Sequence, residues 1–250
     1  MHWIFLSPHF DDIALSCGGM VWERAALGDT LSIWTICAGK PPHRPLSAYA
    51  QLHHVRWVTG ELAVDERKKE DIASCTLMNA SYRHFDIPDC IYRPRQKNIP
   101  HYYTSGEAIF GDIHPAEKKN LLPRLTRIFC EEFPPDAQLV CPLTLGHHVD
   151  HQITRKAAEH AAQALNQTIL YYADYPYVAG HPEQLNAYQH KGWNCVRFEI
   201  SERAYQAWFA AIAAHRSQIS TFWSDEQQLQ ADIRAYSKGQ NGLCLWKPAL

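Results

Sequence analysis

Residues 7 to 12 read Ser-Pro-His-Phe-Asp-Asp, directly after the apolar run Trp3-Ile4-Phe5-Leu6. An imidazole and two carboxylates at the end of a strand are side chains that bind divalent cations and move protons. A second cluster, Gly146-His147-His148-Val149-Asp150-His151, follows another apolar run near the middle of the chain. His9 and Asp12 are three apart in a post-strand turn, and His148 and His151 are three apart where a helix begins, so each pair can project to one side. If the two strand ends are neighbours, two loops grip one cation.

A catalytic zinc ion takes three protein ligands of nitrogen or oxygen type and keeps one position open for water. His9, Asp12 and His151 meet that count. Asp11, beside a ligand but pointing elsewhere, is then free as general base on the water, whose pKa the metal lowers towards ~7. His148 is left to stabilise or protonate. Either motif alone reads as a capped corner or structural histidines; together they point to a metal hydrolase. A protein that binds metal or a sugar conjugate without turnover has no use for Asp11. Phosphoryl chemistry normally wants two metals or a basic phosphate clamp, for which only Arg67, Arg93 and Arg95 are candidates.

The elements that must position these residues alternate. Strand-type runs at 3–7, 30–37, 82–87, 138–143, 168–173 and 194–200 are interleaved with helix-type segments at 18–28, 61–80, 117–132, 151–166, 202–215 and 225–238. Such alternation predicts an α/β fold, a Rossmann-like three-layer sandwich with a mostly parallel sheet and helices on both faces. In such sheets ligands bind beyond the carboxyl ends of the strands, near a topological switch point. Two stretches without periodicity, Gly39 to Gly60 and Asp89 to Pro115, are long for connections and read as binding walls or surface excursions.

With 250 residues, 46% hydrophobic and 20% charged, one domain over 1–250 is expected. Residues 202–250 are read as helices and a tail packed on it or forming a self-association face, which leaves a homo-oligomer open. Leu243-Cys244-Leu245-Trp246 is apolar enough for a last strand. A net charge of -2 supplies no basic stripe, so neither nucleic acid nor membrane is expected as partner. The eight cysteines include no CxxC pair and read as buried free thiols of a reducing compartment. With no leader pattern and no apolar run near the ~20 residues of a membrane span, the expected location is the cytoplasm.

The pattern resembles the zinc-dependent N-deacetylases of the PIG-L or LmbE-like family, whose signature is a His-Pro-Asp-Asp turn after the first strand and a distant His-x-x-His. Here these stand as Pro8-His9-Phe10-Asp11-Asp12 and His148-Val149-Asp150-His151. Cys17-Gly18-Gly19, Arg67-Lys68-Lys69-Glu70, Pro88-Asp89 and the run Tyr171 to Tyr177 extend the resemblance over roughly residues 3 to 220. It implies Zn²⁺ on His9, Asp12 and His151, Asp11 as base, and His148 facing the oxyanion with Asp150 beside it to raise its pKa. It further implies Arg67 and Asp89 on substrate hydroxyls, and a small-molecule N-acylated amino-sugar conjugate as substrate. Tyr102, Tyr103, Trp57, Tyr175 and Tyr177 are candidates for stacking on sugar rings. Departures from the pattern are Phe10, expected to put an aromatic edge near the metal, Ile13, expected to pack inward, and His147, read as a polar neighbour.

Overall fold

The computed structural model describes residues 1–42, 44–57, 62–96, 98–180, 182–239 and 243–249. Seven strands, β1 (His2–Ser7), β2 (Thr30–Thr35), β3 (Ser81–His84), β4 (Ala137–Pro142), β5 (Ile169–Tyr172), β6 (Asn194–Phe198) and β7 (Leu243–Lys247), form one sheet in the order β3-β2-β1-β4-β5-β7-β6. The first five are parallel, and β7 runs antiparallel to both β5 and β6. β1 is buried on both faces from Trp3 onward, as a parallel strand between two helical layers must be.

From β1 the chain winds outward to β2 and β3, then returns to place β4 on the other flank of β1. Right-handed crossovers in opposite directions put helices on opposite faces. Accordingly α1 (Asp12–Ala26), α3 (Ala63–Leu77) and α10 (Glu202–Ala213) pack on one another, and α6 (Leu121–Glu132) packs on α7 (Val149–Leu165). The expected three-layer α/β architecture is what forms. The C-terminal helices, which include α11 (Arg216–Phe222) and α12 (Glu226–Gly239), pack on this body: Trp208 of α10 donates its indole N–H to Ala14 O at 2.6 Å.

Several expected boundaries shift. The first helix was expected from residue 18 but begins at Asp12, so the acidic pair sits at a helix N-terminus. Gly18 and Gly19 lie inside it because Trp208 needs their bare backbone; a Cβ on Gly18 would stand 2.5 Å from Trp208 Cδ1. The stretch from Gly39 contains α2 (Ala48–Arg56), capped by Ser47, whose Oγ accepts from Ala50 N at 3.1 Å. Its expected end at 58–60, like the expected start of the next helix at 61, lies outside the described residues. The stretch from Asp89 holds a 3-10 turn (Cys90–Tyr92) and α4 (Gly106–Ile109), and α5 (Pro115–Lys119) precedes α6. Between β5 and β6 lie α8 (Tyr177–Gly180) and α9 (Pro182–His190). The two excursions share a small core of their own, including Phe10, Trp57, Val64, Ile91, Tyr92 and Tyr103, which fixes them above the strand ends as walls.

The expectation that all cysteines are free thiols is corrected at one pair. Cys195 of β6 and Cys244 of β7 form a disulfide. They sit diagonally across an antiparallel pair in which Cys195 faces Trp246 and Arg197 faces Cys244, close enough at 5.7 Å between Cα atoms. The other six are free, five of them buried and Cys130 half-buried. Among the described residues no helix is long and apolar enough to cross a membrane.

Candidate metal centre

Because β1 and β4 are hydrogen-bonded neighbours, the loops leaving their carboxyl ends meet at the switch point. His9 leaves β1, Asp11 stands at the N-terminal boundary of α1 without a capping side-chain bond and Asp12 opens it, while His148 caps α7 and Asp150 and His151 lie in its first turn. The approach to α7 is tightly coiled, with Thr144, Gly146 and His147 at φ 63°, 79° and 64°. Gly146 is required there twice over, by its left-handed backbone and by Tyr177, whose Cγ would lie 2.5 Å from an added Cβ.

Asp12 is the hinge of the cluster. Its Oδ2 is 3.3 Å from His9 Nδ1 and its Oδ1 is 3.3 Å from His151 Nε2. Tetrahedral ligands bound at 2.0–2.1 Å to one zinc stand roughly 3.3 Å apart, so each of these two pairs has that spacing, through different oxygens of Asp12. His151 Nε2 is buried and without a hydrogen-bond partner among the described residues, as a nitrogen aimed at a cation should be. Behind these atoms, His9 Nε2 donates to Asp150 Oδ2 at 3.1 Å and His151 Nδ1 to Asp174 Oδ1 at 2.6 Å. His148 is also close: His9, His148 and His151 each offer a nitrogen within 4.8 Å of the others.

Charge follows from this packing. Burial by itself would depress His9, but hydrogen bonds to Asp12 and Asp150 hold it well above its ordinary value. Burial likewise opposes a charged His151, yet the Asp12 charge and the bond to Asp174 push it up to about 9. The His151 charge holds the Asp12 carboxyl low against its burial. Without metal, the cluster is an imidazolium–carboxylate array.

The Asp150 carboxylate does pull His148 upward, as expected, but that pull is outweighed and the expected net rise in pKa is corrected. Burial, reinforced by the neighbouring His9 charge, holds His148 well below its ordinary value. The Asp150 carboxylate is engaged elsewhere: Arg93 Nη1 lies 2.6 Å from Oδ1, and Cys90 N donates to Oδ2 at 3.0 Å. His148 Nδ1 instead accepts the Asp150 backbone N–H at 3.2 Å, which assigns the proton of the neutral ring to Nε2.

A cavity of ≈ 330 Å³ opens on the cluster, lined by His9, Asp11, Asp12 and His148, with Arg67 and Asp89 on its wall. Arg67 Nη2 donates to Asp11 Oδ1 at 3.0 Å, and its guanidinium lies between the rings of Trp57 and Phe10. Asp89 Oδ2 is 3.7 Å from His9 Nε2. Of the stacking candidates, Trp57, Tyr175 and Tyr177 line this cavity. Tyr102 and Tyr103 do not, because Tyr102 stacks on His114 and Tyr103 donates its hydroxyl to the buried Glu117. Phe10 is 3% exposed beneath Arg67 and presents no edge to the cavity; Ile13 is buried as expected. His147 is exposed and donates from Nδ1 to Phe110 O. A larger cleft of ≈ 740 Å³ beside β6 and β7 contains none of the clustered His and Asp side chains, so size does not mark the site.

Sequence reading passed Asp174 only within the run Tyr171 to Tyr177 and weighed Arg93 only as part of a phosphate clamp, so it missed the partners of both. Asp174 had one usable signal, its place just past β5; for Arg93, on an irregular loop, no local pattern pointed to Asp150 and Glu117.

Residues 4–162 match the family model for PIG-L, GlcNAc-PI de-N-acetylase. The 2'-N-acetylparomamine deacetylase of Niallia circulans is 25% identical over 243 residues, 90% of this chain and 83% of that one. The zinc-inhibited form of the teicoplanin deacetylase Orf2 has a TM-score of 0.79 at 24% identity, covering 98% of this chain and 97% of that one. The A40926 pseudoaglycone deacetylase Dbv21 has a TM-score of 0.72 at 22% identity, covering 97% and 95%. At these identities the two structures establish a shared fold.

Proposed function

The chain belongs to the PIG-L family of GlcNAc-PI de-N-acetylases, and from that premise we propose that it is a zinc-dependent deacetylase that hydrolyses the N-acyl group, an acetyl, of an amino-sugar conjugate. The observation that carries this is the pairing of a candidate ligand set with an adjacent carboxylate: His9, Asp12 and Asp11 line one cavity, and His151 stands behind Asp12 with Nε2 3.3 Å from its Oδ1. Similarity over most of the chain to a 2'-N-acetylparomamine deacetylase supports the acetyl group and the amino sugar.

In this reading His9 Nδ1, Asp12 and His151 Nε2 hold the ion. Zinc bound there supplies a Lewis acid for the acyl carbonyl and lowers the pKa of water. Asp11, fixed by Arg67, takes a proton from the attacking water. The neutral His148 donates its Nε2–H to the oxyanion of the tetrahedral intermediate. Asp11 then passes its proton to the departing amine, which leaves as the C–N bond breaks. Asp150 is a positioning residue: its carboxylate orients His9 through Nε2 and its backbone N–H holds His148 through Nδ1. Asp89 and the free edge of Arg67 face the sugar hydroxyls, with Trp57, Tyr175 and Tyr177 around the rings.

The test is bound metal and amine release from a panel of N-acetylglucosamine and N-acetylparomamine conjugates, for wild type and Asp11→Asn. About one zinc per chain with release abolished in the variant supports the reading. Stoichiometric zinc with no release from any conjugate shifts it to a binding protein, and no zinc under zinc-replete conditions ends it.

A further inference from the structure

Asp174 lies just beyond the carboxyl end of β5, 1% exposed, on a strand that pairs directly with β4. Its two oxygens do different things. Oδ1 accepts the His151 Nδ1–H at 2.6 Å, and Oδ2 accepts the backbone N–H of Leu145 at 3.1 Å, in the loop that leads to His148. His151 is itself 1% exposed, with its other nitrogen, Nε2, sealed from solvent 3.3 Å from Asp12 Oδ1.

A neutral imidazole has one N–H, so whichever nitrogen donates leaves the other as the ligand. We propose that Asp174 is a positioning residue for the metal centre: it keeps the His151 proton on Nδ1, so that the Nε2 lone pair faces the cation, and ties that ring to the loop carrying His148. The inference rests on the metal reading above. An ordinary buried carboxylate satisfied by one donor would stabilise the fold; this one is shared between a ligand and the backbone that presents a second site residue. A carboxylate behind a ligating imidazole also raises its basicity, and losing such a partner commonly weakens metal binding 10- to 100-fold, roughly.

Asp174→Asn is the informative change because it preserves shape and reverses hydrogen-bond polarity on one side. The amide offers one acceptor for two donors. If its oxygen stays on His151, its NH₂ confronts the Leu145 N–H; if it turns, its NH₂ donates to Nδ1 and drives the ring proton to Nε2, where it blocks the metal.

The experiment is a zinc titration of metal-free wild type and Asp174→Asn against a chromophoric chelator, with the melting temperature of each apoprotein. The expected result is one zinc per wild-type chain, binding about 10- to 100-fold weaker in the variant, whose apoprotein still unfolds in one cooperative transition, at a temperature lowered by loss of the buried Asp174–His151 ion pair. Equal zinc affinity in the two proteins overturns the proposal and leaves the metal reading standing, whereas a wild type that binds no zinc overturns both. Nitrogen-15 spectra of the wild-type histidines supply a readout independent of the variant's folding. With zinc bound, His151 should keep its proton on Nδ1 and coordinate through Nε2; coordination through Nδ1 overturns the proposal.

Discussion

His9 Nε2 lies 3.1 Å from Asp150 Oδ2, across a sequence separation of 141 residues. The contact joins the end of β1 to the start of α7, and Asp150 also meets Arg93 at 2.6 Å, whose guanidinium in turn pairs with Glu117 through two bonds of 2.6 and 3.0 Å. A ligand candidate is thus held by a buried ionic network. Removing one partner of such a network leaves an uncompensated buried charge.

Asp150→Asn should therefore cost stability, by about 3–5 kcal/mol, through Arg93. Denaturant unfolding of the metal-free protein measures it. A loss below about 1 kcal/mol, the size of a surface pair, would mean that Glu117 alone satisfies Arg93.

Asp11→Asn should lower kcat by about 10²- to 10⁴-fold while leaving zinc content unchanged, since Asp11 belongs to the cavity but not to the ligand set. Loss of zinc along with activity would instead make Asp11 a ligand.

His148→Gln should retain more activity than His148→Ala. A neutral Nε2–H donor can be partly replaced by an amide N–H, whereas deleting one oxyanion donor costs about 10²- to 10³-fold in kcat. Equal losses in the two variants would show that an imidazolium is needed.

The pH dependence of the metal-free protein follows from His9 and His151. Both are raised, His151 to about 9, so their contribution to stability is complete below the ordinary histidine pKa of about 6.5 and is lost as pH rises through the folded values. The apoprotein melting temperature should fall between about pH 6.5 and 9. Zinc affinity should rise over the same window, because zinc no longer competes with those protons. Chelator-treated samples scanned calorimetrically, with zinc competition at each pH, check both; an affinity that falls with rising pH contradicts the assignment.

Denatured without reductant, the chain should titrate six thiols, and eight after reduction, because Cys195 and Cys244 are paired. β6 is held in the sheet by β7 alone, so the bond ties an edge strand. Closing a loop with a separation of 49 residues is worth about 4 kcal/mol of chain entropy, so reduction should lower the melting temperature.

Read by itself, the sequence determined the repeating strand–helix order, the candidate ligating side chains and the three-residue spacing that puts His148 and His151 on one side of a helix. These are local matters: periodicity and spacing report interactions between residues two to four apart. Only the tertiary structure decided that β4 lies beside β1, which turns two separate motifs into one cluster. It alone turned Asp150 towards His9 and Arg93, set Asp174 behind His151, buried Phe10 beneath Arg67 and drew Tyr103 away to Glu117. Strand neighbours and the partners of buried charges are chosen by packing between segments far apart in the chain, where each charge must find compensation within a few ångströms. No local pattern records that choice.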